Sequence, residues 1–229
     1  MLATTRWVRV PPFERGLTLG DFLVPIRVGE RATSRQRHLI MVLAGTLLIV
    51  LGARISFYVP PNFDVPVSLQ TFSVLFGGAL LGFRRAIGSV VLYIALGLVG
   101  LPVFAYSATT GDYASGMATI ASYSNGSLML GATGGYIIGF LIAAGLVGRL
   151  AELGWDRHIG GSIGAMILGN AVIYLIGVPW LMVARGFDLQ VGLQYGLWPF
   201  VVGDAIKLAL AAGLLPVGWW AVQRGSNER

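Results

Sequence analysis

Pro199 to Leu214 reads PFVVGDAIKLALAAGL, which is apolar enough to cross a membrane yet carries Asp204 and Lys207 near its middle. Lys207 is the only lysine of the chain. A charged side chain at the centre of a bilayer costs at least about 2.5 kcal/mol, so it persists only when it is paired or faces a polar cavity. Residues three apart on a helix share a face, so these two side chains can contact each other. We therefore expect either an ion pair that only fastens two helices or one face of a substrate site inside a helical bundle.

The composition of the whole chain is that of an integral membrane protein. Its mean hydropathy is +0.76 and 11% of its 229 residues are charged, whereas soluble domains carry about 25%. The chain has no cysteine, which excludes disulfides, thiolate metal sites and a cysteine nucleophile. The net charge of +6 is carried by arginines that lie between apolar segments, a pattern that indicates orientation in a membrane and not nucleic-acid binding.

Six apolar segments are predicted to cross the membrane as one all-α bundle. They cover residues 39–59, 68–82, 86–101, 128–150, 161–183 and 198–222. The polar segments between them, including 104–127 and 185–197, are interpreted as loops.

We assign three regions: a cytoplasmic N-terminal tail at 1–37, a six-helix transmembrane domain at 38–222, and a cytoplasmic tail at 223–229. The first region lacks the apolar core of a secretory signal peptide. Within it, Leu17 to Val28 is expected to be disordered, with a short helix on the membrane surface as the alternative.

The arginines predict the orientation. Six spans place both termini on the same side, and every arginine except Arg54 and Arg185 falls on that side. Since positive charge concentrates in cytoplasmic segments, both termini are predicted to be cytoplasmic, in a multi-pass protein of the cell membrane. Arg54 lies near the outer end of the first span, where its side chain is expected to reach outward.

The residues needed for several kinds of catalysis are missing from the sequence. The only lysine does not follow a glycine-rich phosphate loop, so ATP hydrolysis by that route is excluded. The two histidines, His38 and His158, both lie at the cytoplasmic boundary, which argues against a buried metal site or a Ser-His-Asp triad. Binding or transport is therefore expected, with no cofactor and no enzymatic activity.

Several polar or aromatic residues are predicted to lie at one depth, in the outer half or the middle of the membrane. Each has a simpler reading as well, as a helix contact, a cap or an interface residue. The candidate binding residues are Gln70, Phe104, Tyr136, Asn170, Tyr174, Asp204 and Lys207. Asn170 and Tyr174 are four residues apart and share a helix face.

The sequence resembles the biotin-specific substrate-binding subunits of energy-coupling factor transporters, the BioY family. The resemblance covers roughly residues 52–215. It is carried, in order, by VPVSLQT (65–71), GFRR (82–85), GLVGLPVFA (97–105), TGGY (133–136), GF (139–140), GN (169–170), Tyr174, WL (180–181), PF (199–200), GD (203–204) and Lys207.

This resemblance implies a six-helix protein that captures biotin from outside, with a transmembrane coupling subunit and two cytoplasmic ATPases as partners. Biotin's carboxylate needs a cation, for which Lys207 is the best placed. Its ureido ring needs acceptors and donors, which Asp204, Asn170 and Gln70 offer. Which end of biotin meets Lys207 stays open at this point.

Two other functions remain as alternatives. Related binding subunits share the architecture but differ in their pockets, so another small vitamin or carboxylate is a second candidate substrate. A remote alternative is an intramembrane enzyme that uses Asp204 as acid or base. This alternative lacks a second buried catalytic group in the sequence.

Overall fold

The computed structural model describes residues 16–23, 31–60, 62–108, 110–124 and 126–227, and this part of the chain is mostly helical. Its helices are α1 Gly20–Leu23, α2 Arg31–Arg54, α3 Gln70–Leu81, α4 Phe83–Leu98, α5 Gly134–Glu152, α6 Ile159–Arg185, α7 Leu189–Gly196 and α8 Trp198–Asn227. Two single-turn 3-10 helices, Met117–Thr119 and Trp155–Arg157, lie in the connections.

Four stretches in the described part of the chain are long and apolar enough to span a membrane: Arg35–Arg54, Gly134–Glu152, Ile159–Arg185 and Leu189–Arg224. The other two predicted spans correspond to shorter helices. Helix α3 has 12 residues and α4 has 16, whereas a crossing takes about 20. Helix α3 contacts α2, α4, α5 and α8, and most of its residues are buried, so it lies inside the bundle.

Three antiparallel hairpins lie at one end of the bundle: β1 Ser56–Val59 with β2 Asn62–Ser68, β3 Tyr106–Ser107 with β4 Asp112–Tyr113, and β5 Ala121–Ser124 with β6 Ser127–Leu130. The predicted first span is therefore too long at its end, because α2 stops at Arg54 and residues 56–59 form a strand. The predicted loop 104–127 is also wrong in part, since it contains β3, β4 and β5.

The predicted fourth span begins too early for a physical reason. Residues 127–130 are apolar enough to extend a helix, but they pair with β5 across a turn at Gly126, whose φ of 80° suits glycine. A short apolar run cannot be assigned to helix or strand by periodicity alone.

The predicted loop 185–197 is also wrong in part, because it contains α7. The Asp188 carboxylate caps this helix by accepting the Val191 N–H at 2.8 Å.

The described part of the N-terminal region packs onto the bundle, so the expectation of disorder for Leu17 to Val28 is wrong for residues 17–23. Thr18 and Leu19 are buried, and Asp21 forms ion pairs with Arg37 at 2.6 Å and Arg85 at 2.9 Å. These pairs fix the segment on α2 and α4. Residues 24–28 lie outside the described part. Helix α2 begins at Arg31, inside the region assigned as tail.

The long helices α5 and α6 pack closely along their length. A Cβ atom on Gly135 would lie 2.2 Å from the Cβ of Trp180, so only glycine permits this approach. Small residues at helix contacts are typical of membrane bundles.

The two ends of the bundle differ in character. The hairpin end carries β1 to β6 and α7. The arginine-rich end carries Arg84, Arg85, Arg149, Arg157 and Arg224. The start of α2 and the end of α8 both lie at the arginine-rich end, where Phe22 packs against Trp219 with ring centroids 5.6 Å apart.

Candidate functional site

A cavity of about 580 Å³ opens at the hairpin end of the bundle. Its volume is in the range of pockets that hold small organic ligands. Side chains of α3, α4, α5, α6 and α8 form its floor, while the hairpins form its roof. Five of the predicted binding residues line it: Gln70, Phe104, Tyr136, Tyr174 and Lys207.

Lys207 lies on the floor of this cavity and is fully hydrogen-bonded. Its Nζ donates to the Ser68 carbonyl at 2.5 Å, to the Asp204 carboxylate at 2.8 Å and to Thr71 Oγ1 at 3.1 Å. An ammonium group has three N–H donors, so all three have a partner within the protein. The lysine thereby ties α8 to the start of α3.

Asp204 lies beside Lys207 and is 4% exposed. Its Oδ1 accepts from Lys207 and from Thr71 Oγ1 at 3.0 Å, and its Oδ2 accepts from the Tyr174 hydroxyl. The pair is therefore neutral overall and joins α3, α6 and α8. Of the two alternatives set out from the sequence, the first was an ion pair that only joins helices, and this pair does join them. The second was one face of a substrate site, and Lys207 of this pair does line a cavity.

Gln70 lies at the first residue of α3 and is 5% exposed. Its side-chain amide donates to the Tyr93 hydroxyl at 2.6 Å and accepts from Ser68 Oγ at 3.2 Å. The Ser68 hydroxyl also accepts the Gln70 N–H at 3.3 Å. Gln70 is therefore held in one orientation at the cavity wall.

Aromatic rings form much of the remaining wall. Phe104 is almost fully buried and meets Tyr93 edge to face at 5.4 Å between ring centroids. The ring centroid of Phe200 lies 6.3 Å from the ring centroids of both Tyr136 and Tyr174. The Tyr136 hydroxyl donates to the Gly196 carbonyl at 2.7 Å, which connects the wall to α7. A planar, mostly apolar ligand fits between such surfaces.

Two predicted residues do not line the cavity: Asp204, which contacts the lining residues Lys207 and Tyr174, and Asn170. Asn170 lies one helical turn from Tyr174 on α6, towards the arginine-rich end, and among the described residues its buried Oδ1 atom has no hydrogen-bond partner. Asn170 and Tyr174 both lie on α6, but only Tyr174 lines the cavity.

Several residues of the site were missed by sequence reasoning. Ser68 and Thr71 are inside the VPVSLQT run, so their proximity to Gln70 was a usable signal. Tyr93 gave a weaker signal. It places a hydroxyl group within an apolar helix, and a buried hydroxyl requires a hydrogen-bond partner.

The mouth of the cavity has its own ion pair. Nε of Arg185, at the end of α6, donates to Asp64 Oδ1 on β2 at 2.6 Å. Both residues line the cavity. Arg54, by contrast, donates to the Pro102 carbonyl at 2.6 Å, and its Cζ lies 3.9 Å from the centroid of the Tyr113 ring. It therefore connects the end of α2 to the segments that form the roof.

The arginine-rich end holds a second buried charge cluster, formed by Asp21, Arg37 and Arg85. Burial acts to raise the pKa of the Asp21 carboxyl, but the Thr18 N–H and the two guanidinium groups outweigh it and hold the pKa below its usual value. A groove of about 440 Å³ adjoins this cluster, and half of the residues that line it are charged.

Known proteins resemble this chain in sequence and in fold. The sequence model of the BioY family matches residues 28–224. The biotin transporter BioY of Thermotoga maritima is 33% identical over 177 residues, which cover 77% of this chain and 92% of that protein. The probable biotin transporter BioY of Pyrococcus horikoshii is 36% identical over 164 residues, 72% of this chain and 85% of that protein.

The solved structure of the S-component for biotin from an ECF-type ABC transporter has a similar fold. Its TM-score is 0.66 at 24% sequence identity, with 82% of this chain and 93% of that chain covered. At this identity the likeness concerns the fold. The family match spans nearly the whole described bundle, from α2 to α8, including the Asp204 and Lys207 pair: the chain belongs to the BioY family.

Proposed function

We propose that this chain is the membrane-embedded subunit that binds biotin with high affinity and mediates its uptake. The observation that carries the proposal is the Asp204 and Lys207 pair, which lies at the floor of an aromatic-walled cavity of about 580 Å³. Two relatives, 33% and 36% identical to this chain, are named as a biotin transporter and a probable biotin transporter. The family is one of transport proteins, so the chain is not an enzyme.

The contacts of Lys207 favour one orientation of the ligand. All three of its donors are used, and the Asp204 carboxylate is 2.8 Å away. A ligand carboxylate placed here would meet a like charge in a buried site, which is unfavourable. The uncharged ureido ring therefore faces this pair, and the carboxylate points towards the mouth.

The polar groups at the floor match the ring. A ureido group offers two N–H donors and one carbonyl acceptor. Asp204 and the Tyr174 hydroxyl are acceptors for the N–H groups, and the ureido oxygen takes the place of one of the present acceptors of Lys207. The rings of Phe104, Tyr136 and Phe200 cover the apolar part of the bicycle.

The topology supports six membrane-embedded helices, α2, α3, α4, α5, α6 and α8. The short helix α3 is surrounded by other helices, and the short helix α4 packs against α2, α3 and α5. The arginine-rich end faces the cytoplasm by the positive-inside rule, together with both termini, and the membrane is the cell membrane. The cavity then opens outward, where biotin is captured.

The energy for uptake comes from partner subunits. The chain has no phosphate-binding loop, and the solved structure with the same fold is described as a component of an ECF-type ABC transporter. A transmembrane coupling subunit and two cytoplasmic ATPases complete the transporter.

Equilibrium binding of radiolabelled biotin to the purified protein in lipid nanodiscs tests this function. We expect sub-micromolar binding that Lys207→Ala abolishes. Arg149→Ala is a matched control, because Arg149 forms an ion pair with Glu152 at the same i, i+3 spacing but is 62% exposed at the opposite end. Absence of binding by the unaltered protein, or full binding by Lys207→Ala, would refute the proposal. Stronger competition by another unlabelled vitamin would reassign the substrate.

A further inference from the structure

Arg185 and Asp64 form an ion pair at the mouth of the proposed binding cavity. Arg185 is the last residue of α6, and Asp64 lies in β2, 121 residues earlier in the chain. Their side chains are 38% and 27% exposed, and both line the cavity. The pair therefore lies where an outward-pointing end of a ligand would emerge.

Arg185 is also the cation best suited to receive a carboxylate in the described part of the hairpin end. Lys207 has its three donors occupied and has Asp204 as a neighbour. Arg54 is engaged with Pro102 and Tyr113 and is not part of the cavity wall. The Arg185 guanidinium has five N–H donors in a planar fork, of which the one on Nε contacts Asp64.

We infer that Arg185 binds the carboxylate of the ligand and that Asp64 occupies the same guanidinium when the ligand is absent. The inference rests on the proposed function and adds a residue that selects for a charged ligand tail. On binding, the ligand carboxylate replaces the Asp64 carboxylate at Arg185, and Asp64 turns to water. The guanidinium is paired in both states, so the exchange leaves no buried charge uncompensated.

This exchange predicts that Arg185 and Asp64 have opposite effects on the affinity for an anionic ligand. Arg185 increases affinity only for ligands that carry the anionic tail, because an uncharged tail cannot displace Asp64. Asp64 lowers affinity for the anionic ligand, because it competes for the same donors. A residue with a purely structural role would affect charged and uncharged ligands alike.

Binding of biotin and of its uncharged primary amide to the full-length protein in nanodiscs separates these cases. The unaltered protein is expected to prefer biotin to the amide by roughly 10-fold or more, the range for a hydrogen bond to a charged group. Arg185→Gln should lower biotin affinity by a similar factor and remove the preference. Asp64→Asn should raise biotin affinity and leave amide affinity nearly unchanged.

Arg185→Lys keeps the positive charge and loses the planar fork, so it should retain part of the preference. This variant keeps the test valid if Arg185→Gln does not fold, as judged by gel filtration and thermal melting. Arg149→Gln, at the arginine-rich end, should leave the ratio of the two affinities unchanged.

Three outcomes would overturn the inference. These are equal affinity of the unaltered protein for biotin and its amide, an equal loss of both ligands in Arg185→Gln, and weaker biotin binding in Asp64→Asn. Failure of the unaltered, folded protein to bind either ligand is a distinct result, because it would refute the proposed function itself and the inference with it.

Discussion

The buried ion pairs at the two ends of the bundle have similar chemistry but different surroundings. At the hairpin end, Asp204 pairs with Lys207 at 2.8 Å beside a cavity with aromatic walls. At the arginine-rich end, Asp21 pairs with Arg37 at 2.6 Å and with Arg85 at 2.9 Å beside a groove in which half of the lining residues are charged.

The difference shows that burial of a charge does not by itself identify a binding site. The Asp21 cluster attaches the N-terminal segment to α2 and α4, and its extra positive charge lies at the end predicted to face the cytoplasm. The Asp204 pair is neutral, and its neighbours are groups that a small planar ligand can contact. The chemistry of the adjoining walls therefore distinguishes an ion pair that only joins helices from a candidate binding pair.

Removing Lys207 should have the largest effect. Lys207→Ala leaves Asp204 buried without its cation, and truncating one partner of such a pair costs about 2–5 kcal/mol. Biotin affinity should fall by roughly 100-fold or more. Isothermal titration calorimetry in nanodiscs measures the change. An affinity within threefold of the unaltered protein would show that the two ends are alike and that neither pair is a binding site.

Breaking the other cluster should reduce stability and leave binding intact. Asp21→Ala leaves Arg37, which is 6% exposed, without its carboxylate, at a cost of about 3 kcal/mol. We expect a lower melting temperature and biotin affinity within about threefold of the unaltered protein. A large loss of affinity in a folded Asp21→Ala protein would contradict the division of roles.

The Asp21 cluster also predicts a dependence of stability on acid. Because the pKa of Asp21 is lower in the folded protein than its usual value of 3.8, the stabilisation is present above about pH 4 and is lost as the pH falls through the folded-state pKa. Melting curves of the unaltered protein and of Asp21→Asn should therefore converge at the acid end. Parallel curves at every pH would contradict the ion-pair interpretation.

Removing one hydroxyl beside the proposed binding pair should have an intermediate effect. The Tyr174 hydroxyl donates to Asp204 Oδ2, and its loss leaves a buried carboxylate oxygen unsatisfied at a cost of about 1–3 kcal/mol. Tyr174→Phe should weaken biotin binding by roughly 10-fold. Tyr123→Phe is the control, because that ring is 77% exposed on β5. Equal affinity of the two variants would remove Tyr174 from the site.

The smallest effect is expected at Asp156, between α5 and α6 at the arginine-rich end. Burial raises the pKa of its carboxyl to about 6, although Trp219 Nε1 donates to it at 2.7 Å. A raised carboxyl pKa means that stability decreases as the pH rises from about 4 to 6. Asp156→Asn should keep the Trp219 contact and remove this dependence from the melting temperature. An unchanged pH profile would show that Asp156 does not titrate in this range.

The sequence predicted the lining of the candidate site better than it predicted the course of the chain around it. Asp204, Lys207 and Tyr174 were found because ionisable and polar side chains within apolar helices are costly and so require partners. Gln70, Phe104 and Tyr136 also line the cavity. The third donor contact of Lys207, to the Ser68 carbonyl, could not be predicted, because every residue has a backbone carbonyl.

Other features depend on contacts between distant parts of the chain. Asp64 and Arg185 are 121 residues apart, and only the fold brings them together. The three hairpins were missed because short apolar or serine-rich runs carry no helical or strand period that is long enough to read. The attachment of residues 16–23 was missed because their partners, Arg37 and Arg85, had been assigned to orientation alone.

The most direct test of the account is a structure of this protein with biotin bound, determined in a lipid environment. We expect the ureido ring at the floor of the cavity, within hydrogen-bonding distance of Lys207 and Tyr174, with the carboxylate towards the mouth. Biotin with its carboxylate on Lys207, or biotin in the groove beside Asp21, would contradict the central claim that the neutral Asp204 and Lys207 pair receives the ring.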